Sequence, residues 1–126
     1  MLHALFLISS LHAGAEVLAL PTQGDQGNVV DTKNKLTRLS DGEIQLRMQQ
    51  LPGWTTDGKS LFHTRTFEDF VAAVEFVNSL VDPAETLAHH PDITINYNQV
   101  SLEVTTHDAG GLTELDFELA TIVSQL

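Results

Sequence analysis

From Thr37 onward the hydrophobic positions recur alternately at helical and at strand spacing, and each change of period marks an element. Ser40-Asp-Gly-Glu43 has the spacing of a capping box. Ile44, Met48 and Leu51 follow at helical intervals, and Leu46 widens the apolar face, before Pro52-Gly53 stops the helix. Asp57-Gly58 is a turn signal between Trp54 and the run Ser60–Phe67, which predicts a hairpin. In that run His63 alternates with Phe62, so it is expected on the solvent face of its strand. Thr66–Asp69 resembles a second capping box. Phe67, Phe70, Val71, Val74, Val77 and Leu80 or Val81 then trace one stripe, expected to be the core face of a long helix ended by Asp82-Pro83. Pro83–Ala88 has room for one more helical turn. Ile93, Ile95 and Tyr97 alternate with polar residues, as do Val100, Leu102 and Val104 after a turn at Tyr97–Gln99. Thr113–Asp116 caps a last helix whose apolar face is Leu115, Leu119, Ile122, Val123 and Leu126. The order α-β-β-α-β-β-α predicts an α+β domain: a four-stranded antiparallel sheet with three helices on one face.

Residues 1–36 do not continue this pattern. They are expected to be an N-terminal extension to a domain spanning 37–126. The apolar run Ala4–Leu11 followed by Ala13-Gly14-Ala15 has the form of a signal-peptide core and cleavage site, yet no Lys or Arg precedes Lys33. A cytoplasmic location is therefore expected, with export or organelle targeting through residues 1–20 as the alternative. Pro21–Lys35 reads as a linker. Charge adds an exclusion: six basic and 17 acidic residues give −11, a balance that repels phosphate backbones and argues against direct nucleic-acid binding. No apolar run approaches the ~18 residues of a membrane span. With no cysteine, thiolate ligands and cysteine nucleophiles are excluded.

Candidate chemistry concentrates around Glu85–Tyr97. Glu85 precedes the pair His89-His90, Pro91 holds the chain away from helix, and His107 and Asp116 follow. If residues 93–105 form a hairpin, His89-His90 lie at the start of one strand and His107 at the end of its partner, so all three imidazoles meet at one end of the sheet. Glu85 and His89, four apart, would meet on a helical turn, where the carboxylate would orient the ring. Asp116 has two equal roles open to it: capping Thr113 or orienting His107. Clustered imidazoles suit either a metal ion or metal-free proton transfer near neutral pH. The helical i, i+4 histidine pair of zinc motifs is missing, so no metal is expected. The plain alternative, that His-His-Pro merely ends a helix, accounts for Pro91 but not for His107.

These residues resemble the pterin-4a-carbinolamine dehydratase family, also known as the dimerisation cofactor of a homeodomain transcription factor. The family's spacing is met by Glu85, His89-His90-Pro91, Tyr97, His107 and Asp116. Gly53-Trp54, Phe67 with Phe70, and Thr106-His107-Asp108 with Gly110-Gly-Leu-Thr113 match its other marks. The resemblance covers about Leu39 to the C-terminus and leaves residues 1–36 without a counterpart. It implies a hydro-lyase that removes water from 4a-hydroxytetrahydropterin to give quinonoid dihydropterin, in tetrahydrobiopterin recycling. It implies His89, His90 and His107 as the catalytic imidazoles and Glu85 and Asp116 as supporting carboxylates. Trp54, Pro91 and Asp92 are carried as candidates to line the pterin pocket. No cofactor is implied; the expected partners are the pterin and further copies of the chain in a homodimer or homotetramer. A non-catalytic interaction protein on the same fold is the alternative function.

Overall fold

The computed structural model describes residues 35–126; the expectations for the extension fall almost wholly outside them. In chain order the elements are α1 (Asp41–Met48), β1 (Thr55–Thr56), β2 (Leu61–Thr66), α2 (Phe70–Ser79), α3 (Val81–Leu87), β3 (Asp92–Asn96), β4 (Gln99–Val104) and α4 (Glu114–Ser124). The strands form one antiparallel sheet in the order β1-β2-β4-β3. The expected α+β architecture is present, with the short α3 inserted between the second long helix and the second hairpin.

Register decides which side chains are covered. Leu61, His63 and Arg65 lie opposite Val104, Leu102 and Val100, and Ile93 and Ile95 lie opposite Leu102 and Val100. This row faces the helices. Leu61, Val100, Leu102 and Val104 are buried together with Ala73, Phe76 and Leu80 around α2, and Leu112, Phe117, Leu119, Ala120 and Val123 around α4. His63 therefore lies on the covered face, not the solvent face. Its ring stacks on Trp54 with centroids 4.8 Å apart, and Nδ1 bonds the Gly53 carbonyl at 2.8 Å. Alternation with Phe62 misassigned it because the opposite face, with Thr64, Ser101 and Glu103, is the open one.

The local signals hold where the chain obeys its own caps. In α1 both halves of the Ser40–Glu43 capping box form, and Ile44 and Leu51 are buried, whereas Leu46 is exposed. The α2 stripe is out of phase with expectation. Thr66 is committed to β2, opposite Gln99, so it cannot cap; Asp69 does, accepting from Ala72 N–H at 2.8 Å. The covered face is then Ala73, Phe76, Val77 and Leu80, while Phe70 (52 % exposed) and Val71 (63 %) point outward. Pro83 sets the break after Ser79. It has no N–H to give the Ser79 carbonyl, so α2 closes at Leu80 and α3 begins anew with Pro83 tolerated in its first turn.

Candidate active site

The end of α3 builds the site. Ala88 caps the helix in the left-handed conformation, φ 51° and ψ 40°. Its N–H reaches the Glu85 carbonyl at 3.1 Å and the His89 N–H reaches Ala84 at 3.0 Å, the paired bonds of a Schellman end. The reversal at Ala88 turns His89 out of the helical path. Pro91 then keeps His90 extended into β3.

This geometry re-pairs the acids and the imidazoles. His89 Nε2 lies 2.7 Å from Asp116 Oδ1, with the histidine side chain 11 % exposed and the carboxylate fully buried. Glu85 instead meets His90, Oε1 to Nε2 at 2.6 Å, in a pair open to solvent. The expected Glu85–His89 pair fails because i, i+4 contact needs the helix to continue through His89, and Ala88 ends it. Asp116 does cap: its carboxylate accepts the Thr113 N–H at 2.7 Å while Thr113 heads α4. Its imidazole partner is His89, not His107, because the second oxygen faces the end of α3. That Asp116 would cap and orient a histidine at once was not among the readings of its spacing.

Asp116 Oδ2 also accepts the Thr106 hydroxyl at 2.8 Å, and Thr106 Oγ1 lies 2.9 Å from Thr113 Oγ1. Thr106 is the residue before His107, which starts a single 3₁₀ turn, His107–Ala109, closed by Gly110 at φ 73°. Thr106 bridges to Gly111 across the base of this turn. Thus His89, Asp116, Thr106 and the His107 loop form one connected group, with the His107 side chain exposed at its rim. Sequence reasoning missed Thr106 and Thr113 as members. Their burial beside a buried carboxylate is the signal, and only the hairpin's register reveals it. It also missed Arg38, whose side chain lies against Gly111 so closely that a Cβ there would come within 3.1 Å of Nε.

Two candidates fall elsewhere. Trp54 is buried, its Nε1–H donating to Ser124 Oγ at 2.8 Å near the far end of α4. Eight residues of helix, about 12 Å, separate Ser124 from Asp116. Trp54 is a core residue stacked on His63, and it is not in contact with His89, His90 or His107. Asp92 is exposed and sits opposite Glu103 on the open sheet face; Pro91 is half-buried beside the pair it positions. A groove of about 540 Å³ between α1 and α4 is lined by Leu46, Leu51, Phe117 and Ile122 among others and includes none of the histidines. Among the described residues no three His, Cys, Asp or Glu side chains are arranged to hold a metal ion.

A group of this kind can move protons. Asp116 already accepts from the Thr106 hydroxyl and the Thr113 N–H, and an ionised carboxylate has no hydrogen to give, so His89 Nε2 carries the hydrogen between them. His90 and His107 offer two further imidazoles at the same end of the sheet.

The family model described as pterin 4 alpha carbinolamine dehydratase matches residues 37–126. A protein of Cyanothece sp. is 56 % identical over 88 residues, 70 % of this chain and 91 % of its own length. One of Thermomicrobium roseum is 46 % identical over 91 residues, 72 % of this chain and 98 % of its own. Both are named as candidate pterin-4-alpha-carbinolamine dehydratases. A crystal structure from Brucella melitensis, described as a transcriptional coactivator/pterin dehydratase, aligns with TM-score 0.67 and 33 % identity over 71 % of this chain and 97 % of that one.

Proposed function

The chain belongs to the pterin 4 alpha carbinolamine dehydratase family and is an enzyme of that kind, and from this premise we propose that its histidine cluster dehydrates a 4a-hydroxytetrahydropterin by metal-free acid–base catalysis. The observation that carries the reading is the buried Asp116–His89 pair beside two solvent-facing imidazoles. Loss of water needs a proton delivered to the departing 4a-hydroxyl, which leaves as water, and a proton removed from a ring nitrogen to form the new C=N bond. We assign one such transfer to His89, whose ring is held by Asp116, and the other to His90 or His107. Positioned acid–base groups of this type contribute about 10²–10⁴-fold in rate. The physiological setting we propose is recycling of tetrahydrobiopterin after hydroxylation chemistry.

Three single substitutions test this: His89→Ala, His90→Ala and His107→Ala. Each is expected to lower carbinolamine dehydration by at least tenfold with thermal unfolding unchanged. Normal turnover in all three would sink the proposal.

We also propose that the chain self-associates. β3 is an edge strand with every residue exposed; Ile93 and Ile95 on it, Tyr97 in the turn that follows, and the outward Phe70 and Val71 of α2 are exposed apolar side chains. An unpaired apolar edge is a template for a second strand. Light scattering is expected to give a dimer or tetramer, and Ile95→Lys a smaller species. A wild-type monomer would overturn this. The same surface supports a second role beside the enzyme, an interaction protein on this fold, which predicts that the chain is recovered bound to a partner.

A further inference from the structure

Thr106 carries a role that the proposed chemistry does not itself require. Its side chain is buried against two other buried polar groups, Thr113 and Asp116. The hydrogen-bond directions follow from counting protons. A carboxylate has none to give, so the 2.8 Å contact to Asp116 Oδ2 uses the single hydroxyl proton of Thr106. The 2.9 Å contact between the two threonines must then be donated by Thr113. Thr113 Oγ1 in turn accepts the Leu115 N–H at 3.3 Å. A one-way chain results: Leu115 N–H to Thr113, Thr113 to Thr106, Thr106 to Asp116 Oδ2. The opposite oxygen of Asp116 receives Nε2–H of His89.

Thr106 is held equally firmly through its main chain. Its N–H reaches the Gly111 carbonyl at 3.3 Å, and its carbonyl accepts from Ala109 at 3.0 Å and Gly111 at 3.4 Å. These bonds close the turn that bears His107. One residue therefore fixes the carboxylate behind His89 with its side chain and the loop of His107 with its backbone. We infer that Thr106 is a positioning residue that locks the His89–Asp116 pair in register with His107, so that the two imidazoles address one bound molecule from a fixed separation.

Removal of the hydroxyl separates positioning from folding. In Thr106→Val the shape is retained. Thr113 Oγ1, already 3.4 Å from Asp116 Oδ2, can turn its freed proton to the carboxylate. Asp116 keeps its partners in number but loses the restraint from the His107 side.

The inference rests on the dehydratase reading, and the experiment distinguishes the two. In wild type, Thr106→Val and Thr106→Ser, steady-state dehydration is measured across pH, and nitrogen-15 NMR reads the His89 tautomer in the unliganded protein. Thr106→Val is expected to lower kcat about tenfold, equivalent to roughly 1.4 kcal/mol of barrier, with KM within about twofold. Its pH–rate profile shifts, and His89 changes from the Nε2–H form to a tautomer mixture. Thr106→Ser restores all three. Unchanged kcat and an unchanged tautomer in Thr106→Val overturn the inference, as does loss of activity that Ser fails to rescue. If Thr106→Val does not fold, Thr106→Ala takes its place with the same outcomes. A wild-type protein without turnover defeats the dehydratase reading, while the tautomer measurement still decides whether Thr106 positions His89.

Discussion

Ala88 offers the sharpest quantitative test, because its conformation is unusual and its side chain is exposed. An L-residue in the left-handed region costs about 1–2 kcal/mol, and Ala88 sits there at φ 51°. Glycine has no such penalty and is the preferred residue at this helix-end position. Against that relief, glycine widens the unfolded ensemble at a cost of about 0.4–1 kcal/mol. The exposed methyl of Ala88 contributes little burial to lose. The difference leaves Ala88→Gly more stable by between about 0 and 1.5 kcal/mol, with a midpoint near 0.8. At about 4–8 °C per kcal/mol for a domain of this size, Tm rises by roughly 3–6 °C at that midpoint. Urea and thermal unfolding measure it directly. Ala88→Val is the counter-test. A β-branched residue is a severe outlier at this φ, so it should lower Tm, shift His89 away from Asp116 and reduce dehydration. A destabilised Ala88→Gly, or an Ala88→Val indistinguishable from wild type, would refute the strain argument and the claim that this reversal places His89.

Other outcomes follow from the site and the caps. Asp116→Asn turns an NH₂ group toward His89 and forces the other ring tautomer; kcat should fall about 10²-fold or more at a stability cost of roughly 1–3 kcal/mol, read by kinetics and urea unfolding. Glu85→Gln touches only the exposed His90 pair, so its stability change should stay below about 1 kcal/mol and its kcat loss should be smaller than that of Asp116→Asn; the reverse ranking would show that Glu85, not Asp116, matters most. On acidification, the Ser40 backbone and side-chain hydrogen bonds hold the Glu43 carboxyl below its ordinary value. A depressed acid stabilises the fold above the unfolded value of 4.5 and loses that contribution as pH falls through the folded one. Glu43→Gln should flatten the acid limb of the unfolding curve; an identical pH dependence would remove the capping box from the account.

The elements that the sequence disclosed are those defined by local chemistry. Ser40–Glu43, Asp57-Gly58 and the alternating run from Ile93 to Val104 each write their structure within a few residues, so hairpins and caps were legible. What stayed hidden depends on which of two local solutions prevails. Thr66 and Asp69 both read as helix starts, and only the pairing of Thr66 with Gln99 hands the role to Asp69 and re-phases α2. The histidines were visible by type and spacing, and the hairpin carries the loop of His107 to the end of the sheet where β3 begins. Their partners were not, since one left-handed residue at Ala88 exchanges which imidazole meets which acid. Thr106 was written in the Thr-His-Asp run, but its burial depends on a contact ten residues distant along the chain.

Trp54 is the chain's single tryptophan, and its stacking on His63 far from the histidine cluster gives the molecule an optical reporter of its own. Its emission follows the junction of α1, β2 and α4, so unfolding alters it while events at the Asp116 end leave its surroundings in place. A stability titration read at this indole is therefore blind to the active-site chemistry. Variants at Ala88, Thr106 and Asp116 can be ranked for fold and for turnover with one sample and two independent signals.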